Sequence, residues 1–234
     1  YNSGTNVAES ILSDNFPQFQ TEDESWEVAG GKHLAVKYIQ GDLASNVLPI
    51  VLVRDPFRWM ASMCKTNYDA TWMRAPHRHC PNLVPTASDW DTKLRSRAAG
   101  KFFSTYSVTV KADGHNDRHD SLADMWTSYY QDYIVADFPR LIVRFEDFVL
   151  FHREDVMRQI IECVGEEEPK MPDLKYRLSS AKSHGYSSDL VSAVIQYGSS
   201  RGRYAGMADE DLRYAAKALP ARMLRKLGYL AVPQ

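Results

Sequence analysis

Residues 48–62 read LPIVLVRDPFRWMAS, and this stretch decides the fold. Leu48 to Val53 is an unbroken apolar run rich in β-branched residues, with no polar alternation. A strand that is apolar on both faces belongs inside a parallel sheet covered on both sides. Arg54, Asp55 and Pro56 end it. Asp55 is a good helix N-cap. Pro56 suits the first helical position, because its ring presets φ and its missing N–H would have had no intrahelical acceptor. Phe57, Met60, Ala61 and Cys64 then recur at helical spacing. The stretch predicts a buried strand, a sharp exit and a helix, with Arg54 at the carboxyl end of the strand.

The same grammar extends outward. Arg140 to Phe145 reads as a second buried strand, followed by Glu146 and Asp147. Val7, Ala8, Ile11 and Leu12 predict a short helix over Thr5–Leu12. Ser121 and Asp124 form a capping-box-like helix start. Leu122, Met125, Trp126, Tyr129, Tyr130, Tyr133 and Ile134 follow as one apolar stripe, a core face rather than a ligand box. Further helices are expected at about 153–164 and 208–227, and a short strand at Trp26–Ala29. Residues 166–206 read as loop-rich. Alternating strands and helices predict an α/β fold, a parallel β-sheet flanked by helices. Such sheets bind ligands at the carboxyl ends of their strands.

Bulk composition narrows the function classes. The 234 residues suit one large domain, 1–234, carrying an irregular polar insertion at about 67–120. Hydrophobic residues make up 44%, enough for a substantial core. A formal net charge of −2 speaks against nucleic-acid binding through bulk charge, so any anion site must be local. No apolar run approaches the ~20 residues that span a bilayer. A glycine turn of the kind at the start is normally fed by a buried strand. That first strand is expected upstream of Tyr1. Cys64, Cys80 and Cys163 lack zinc-pair spacing. Either Cys64 and Cys80 pair in an oxidising compartment, or all three are buried free thiols.

Four features point to anion chemistry. Ser3-Gly4-Thr5-Asn6 opens a helix, where free N–H groups and the helix dipole favour phosphate or sulfate. Taken alone, it is also what a capped helix start looks like. Arg54 offers a planar guanidinium at a strand end, with Ser62 eight residues on. Standing alone, Arg54 would read as a structural ion pair. Arg201 and Arg203 flank Gly202 in SSRGRYAG, where glycine permits close backbone approach; the bland alternative is a solvated basic loop. His33, after Lys32, is a natural general base near neutral pH, although lone histidines are more often structural.

Together these residues resemble the sulfotransferases that use 3′-phosphoadenosine 5′-phosphosulfate (PAPS). YNSGTNV is similar to their phosphosulfate loop. RDPFRWMAS keeps their Arg-to-Ser spacing for the 3′-phosphate. Lys32-His33 looks like their catalytic histidine element, and Phe145-Glu146-Asp147 like the strand end whose aromatic ring packs near adenine. Arg201-Gly202-Arg203-Tyr204-Ala205-Gly206 resembles their late 3′-phosphate loop, and Lys226 to Tyr229 their closing KLGY. The likeness covers nearly the whole chain, least of all the insertion. It implies a P-loop-like three-layer architecture. It also implies sulfuryl transfer from PAPS, with no metal, to a hydroxyl or amine of a carbohydrate or small hydroxylated metabolite. Asn2, Ser3, Gly4, Thr5 and Asn6 would hold the 5′-phosphosulfate. Arg54, Ser62, Arg201, Gly202 and Arg203 would hold the 3′-phosphate. Phe145 would meet the adenine, and His33 would take the acceptor proton.

Departures from the family pattern are informative. Asn2 stands where a lysine usually stabilises the leaving phosphate, and Lys32 is expected to supply that charge. Val7 replaces a tryptophan that stacks on adenine, and Phe145 replaces a tyrosine. Two other readings remain. One is a non-catalytic PAPS-binding protein, favoured by Asn2. The other is a P-loop kinase, for which Gly-Lys-Ser/Thr is missing. A Cys64–Cys80 bridge would favour the Golgi lumen with a membrane anchor upstream; reduced thiols would favour the cytoplasm.

Overall fold

The computed structural model describes residues 4–16, 35–41, 45, 47–72, 80–86, 105–112, 115–164, 175 and 200–230. The chain is mixed α/β and divides into two compact units. The first draws on residues within 1–55 and 135–203, the second on residues within 56–134 and 204–234.

The first unit is built on the two strands read from sequence. β1 (Ile50–Val53) and β5 (Leu141–Arg144) pair in parallel, with Ile50 opposite Leu141 and Val53 opposite Arg144. Val51, Leu52 and Val53 are all buried, so both faces of β1 are covered, as its unbroken apolar run requires. Leu52 and Val143 join a core with Ile11 and Leu12 of α1 (Thr5–Asn15). Met157, Ile160 and Ile161 of α4 (Arg153–Val164) complete it. α1 runs three residues beyond the expected Leu12, and Phe16 N–H closes it on the Leu12 carbonyl at 2.7 Å. A π-helical turn, Asp147–Phe151, links β5 to α4 and buries Phe148 in the same core.

The second unit carries α2 (Pro56–Lys65) and an antiparallel sheet of β2 (Ala70–Thr71), β3 (Val108–Ala112) and β4 (His115–His119), in the order β2-β3-β4. It also carries α3 (Leu122–Val135), α5 (Asp209–Ala218) and α6 (Ala221–Lys226). The capping box at α3 forms as its spacing predicts: Asp124 N–H donates to Ser121 Oγ at 3.2 Å, and that hydroxyl donates to Asp124 Oδ2 at 2.6 Å. The aromatic stripe of α3 packs as core, with Trp126 edge-on to Tyr130 and to Tyr229.

Three local expectations change. In the insertion at about 67–120 a strand pair is expected around Phe103–Val110; the pair lies later, and the polar run DGHNDRHD contains β4, which pairs with β3 from Val108–His119 to Ala112–His115. Its composition is poor for a strand. Pairing with the half-buried β3 overrides that propensity, and Ser128 of α3 meets His119 Nδ1 at 3.2 Å. The helix expected over 208–227 is two, because Pro220 cannot continue α5 and instead caps α6 with ψ 120°. The basic loop around Arg201 is a single helical turn, Ser200–Arg203. The expected strand at Trp26–Ala29 lies outside the described residues.

Cys64 and Cys80 are joined in a disulfide, their Cα atoms 6.2 Å apart. Cys163 is a free, exposed thiol on α4. The alternative of three buried free thiols does not hold.

Candidate functional site

The first unit brings several of the candidate residues to the carboxyl ends of β1 and β5. The paired register ends at Val53 and Arg144, and Arg54-Asp55 and Phe145-Glu146 follow directly. The Arg54 guanidinium carbon lies 5.0 Å from the centroid of the Phe145 ring. That is within reach of a cation–π contact, which aligns the charge over the ring face. Asp55 N–H donates to Glu146 Oε1 at 3.0 Å. Glu146 is buried, and this bond fixes the chain where it leaves β1.

Gly4 packs against the same Phe145 ring. Its φ is +87°, a left-handed conformation that glycine adopts without a Cβ penalty. A Cβ placed on Gly4 would collide with the Phe145 ring. Two independent demands, backbone conformation and close approach, thus call for glycine here. The Gly4 carbonyl accepts the N–H groups of Val7 and Ala8 at 3.0 and 3.1 Å, opening α1. The first N–H groups of a helix have no intrahelical acceptor, and those of Thr5 and Asn6 occupy that position. The first turn of α1 holds no acidic residue to oppose an anion.

Arg203, at the end of the helical turn, donates from Nε to Asp55 Oδ2 at 2.6 Å. Both side chains are about nine-tenths buried, at 10% and 9% exposure. Arg201 and Gly202 belong to the same turn. Gly4, Arg54, Phe145 and Arg203 are therefore assembled through Phe145, Asp55 and Glu146. Ser62 lies on α2 in the second unit. Asn2, Ser3, Lys32 and His33 lie outside the described residues.

Two residues at this site play parts that local reading missed. Asp55 reads as an N-cap, yet its carboxylate takes Arg203 and its N–H takes Glu146. Glu146 reads only as part of a strand end. The available signal was the pairing of the two strands: with Val53 beside Arg144, the residues that follow them leave the sheet at the same end. No family model, curated protein or solved structure matches this chain.

Proposed function

We propose that this protein is a PAPS-dependent sulfotransferase with a P-loop-like three-layer architecture. The observation that carries the reading is the junction of Gly4, Phe145 and Arg54. The start of a helix at Gly4 and the guanidinium of Arg54, after a parallel strand, both meet one aromatic ring. PAPS has that distribution of chemistry: a phosphosulfate, an aromatic base and a second, separate phosphate. The helix start would hold the phosphosulfate through backbone N–H groups, with Asn2 and Ser3 leading into it. Arg54 would take the 3′-phosphate, and the Phe145 ring would lie near the adenine.

In the transfer step the acceptor oxygen bonds to sulfur while the bond from sulfur to the 5′-phosphate oxygen breaks. His33 takes the acceptor proton, and Lys32 offsets charge on the departing phosphate. The protein contributes position and charge. The acceptor class is a carbohydrate or a small hydroxylated metabolite. The Cys64–Cys80 disulfide supports an oxidising compartment such as the Golgi lumen.

Incubation with labelled PAPS and a panel of glycans, phenols and sterols tests the reading. Label transfer that is lost in His33→Ala supports it. Binding of 3′-phosphoadenosine 5′-phosphate without transfer to any acceptor would favour a non-catalytic nucleotide-binding protein. Neither binding nor transfer would overturn both.

A further inference from the structure

Arg203 and Arg54 make different contacts near the end of β1. Arg54 lies over a neutral ring face. Arg203 is bonded through Nε to a carboxylate at 2.6 Å, in a pair that is largely withdrawn from water. Screening is weak there, so the Asp55 charge offsets most of the field that Arg203 would present to an anion. Asp55 is in turn fixed through its own N–H by buried Glu146. The result is a relay across distant parts of the chain: Glu146 at the end of β5, Asp55 at the end of β1, and Arg203 in the turn Ser200–Arg203.

From this geometry we infer that Arg203 is a positioning residue: it anchors the turn Ser200–Arg203 to the anion site through Asp55 rather than meeting the ligand itself. The inference rests on the PAPS reading and divides labour within it. A guanidinium used as an anchor must be matched by a carboxylate. One used as a phosphate ligand is weakened by the same carboxylate. The two roles therefore predict opposite signs for removal of the Asp55 charge. If Arg203 anchors, Asp55→Asn releases the turn and weakens binding. If Arg203 ligates phosphate directly, Asp55→Asn frees it from competition and strengthens binding.

The test is calorimetric titration of 3′-phosphoadenosine 5′-phosphate into wild type, Asp55→Asn, Arg203→Gln, Arg203→Lys and the Asp55→Asn/Arg203→Gln pair. Amide hydrogen exchange over residues 200–206 is followed in each form. The expected result is a loss of affinity of about tenfold in each of Asp55→Asn and Arg203→Gln, the scale of one charged hydrogen bond. The double variant should be no weaker than either single one, because both remove the same contact. Faster exchange over 200–206 should accompany the loss, and Arg203→Lys should recover part of both. Tighter binding by Asp55→Asn overturns the inference and leaves the PAPS reading standing. So does unchanged affinity with faster exchange, which would make the pair structural only. A wild-type protein that binds no 3′-phosphoadenosine 5′-phosphate overturns the PAPS reading and this inference with it.

Discussion

Two buried carboxylates, Asp55 in the first unit and Asp211 in the second, hold distant chain segments in opposite ways. Asp55 takes a guanidinium, so its charge is matched by another charge. Asp211 is fully buried at the start of α5 and accepts three backbone N–H groups, from Asn82 at 3.2 Å, Leu83 at 2.7 Å and Val84 at 3.2 Å. Its charge is spread over peptide dipoles, and its lone pairs are consumed by the segment it holds. That segment is also tied covalently to α2 through Cys80 and Cys64, and Asn82 adopts a left-handed φ of 61°. The second site is a staple: the backbone N–H groups of 82–84 are satisfied by Asp211. The first is a junction where charges converge at strand ends beside a helix start. A buried carboxylate given over to backbone N–H groups marks structure, whereas a convergence of charges at strand ends marks a candidate for chemistry.

This contrast can be broken by mutation. The largest effect is expected for Asp211→Ala. It leaves three N–H groups without their acceptor and should cost about 4 kcal/mol of unfolding free energy by denaturant titration, since each orphaned buried donor costs ~1–3 kcal/mol. A loss under about 1 kcal/mol would show that 80–84 is held by other means. Next, Cys64→Ser/Cys80→Ser opens a loop with a sequence separation of 16. It should cost about 3 kcal/mol, chiefly through the unfolded chain. Binding at the first unit should be unaffected.

Gly4→Ala tests the other side. The left-handed φ and the collision with Phe145 together should cost about 2 kcal/mol. Unlike the two staple variants, it should also abolish binding of 3′-phosphoadenosine 5′-phosphate in the fraction that remains folded. Retained binding would detach Gly4 from the site.

The smallest effect lies in pH. Burial, reinforced by the neighbouring Asp124 carboxylate that accepts its hydrogen bond at 2.7 Å, pushes the Tyr214 hydroxyl from 10.0 up to about 12. The folded state therefore holds the proton more tightly than the unfolded state. The stabilisation is complete below pH 10, and it is lost as pH rises through about 12. Tyr214→Phe should flatten that part of the alkaline stability curve. An unchanged curve would assign the fall to other groups, such as Tyr133, whose hydroxyl burial also raises.

Much of the secondary structure was legible because its causes are local. Ile50–Val53 and Leu141–Arg144 announce themselves as apolar runs, α3 by its cap and stripe, α2 by Pro56 after Asp55. Where local and distant forces disagreed, reading failed. β4 is polar and forms because β3 needs a partner, and Ser200–Arg203 is a helical turn tied down by Asp55. At the candidate site, the residue types were legible: a glycine turn, Arg54, an aromatic at 145 and a late arginine. Their mutual roles were not.

By itself, then, the sequence determined strands β1 and β5, helices α1 to α4 and which residues could meet an anion, since periodicity, caps and residue chemistry act over a few residues. Only the tertiary structure decided that Arg54 lies over Phe145, that Gly4 is required by that ring, that Asp55 serves Arg203 and that Asp211 serves 82–84. The hydrogen-bonded partners there are 91, 148 and 127–129 residues apart. No local preference encodes such pairs; they follow from the pairing of β1 with β5 and from burial that requires charged groups to find partners.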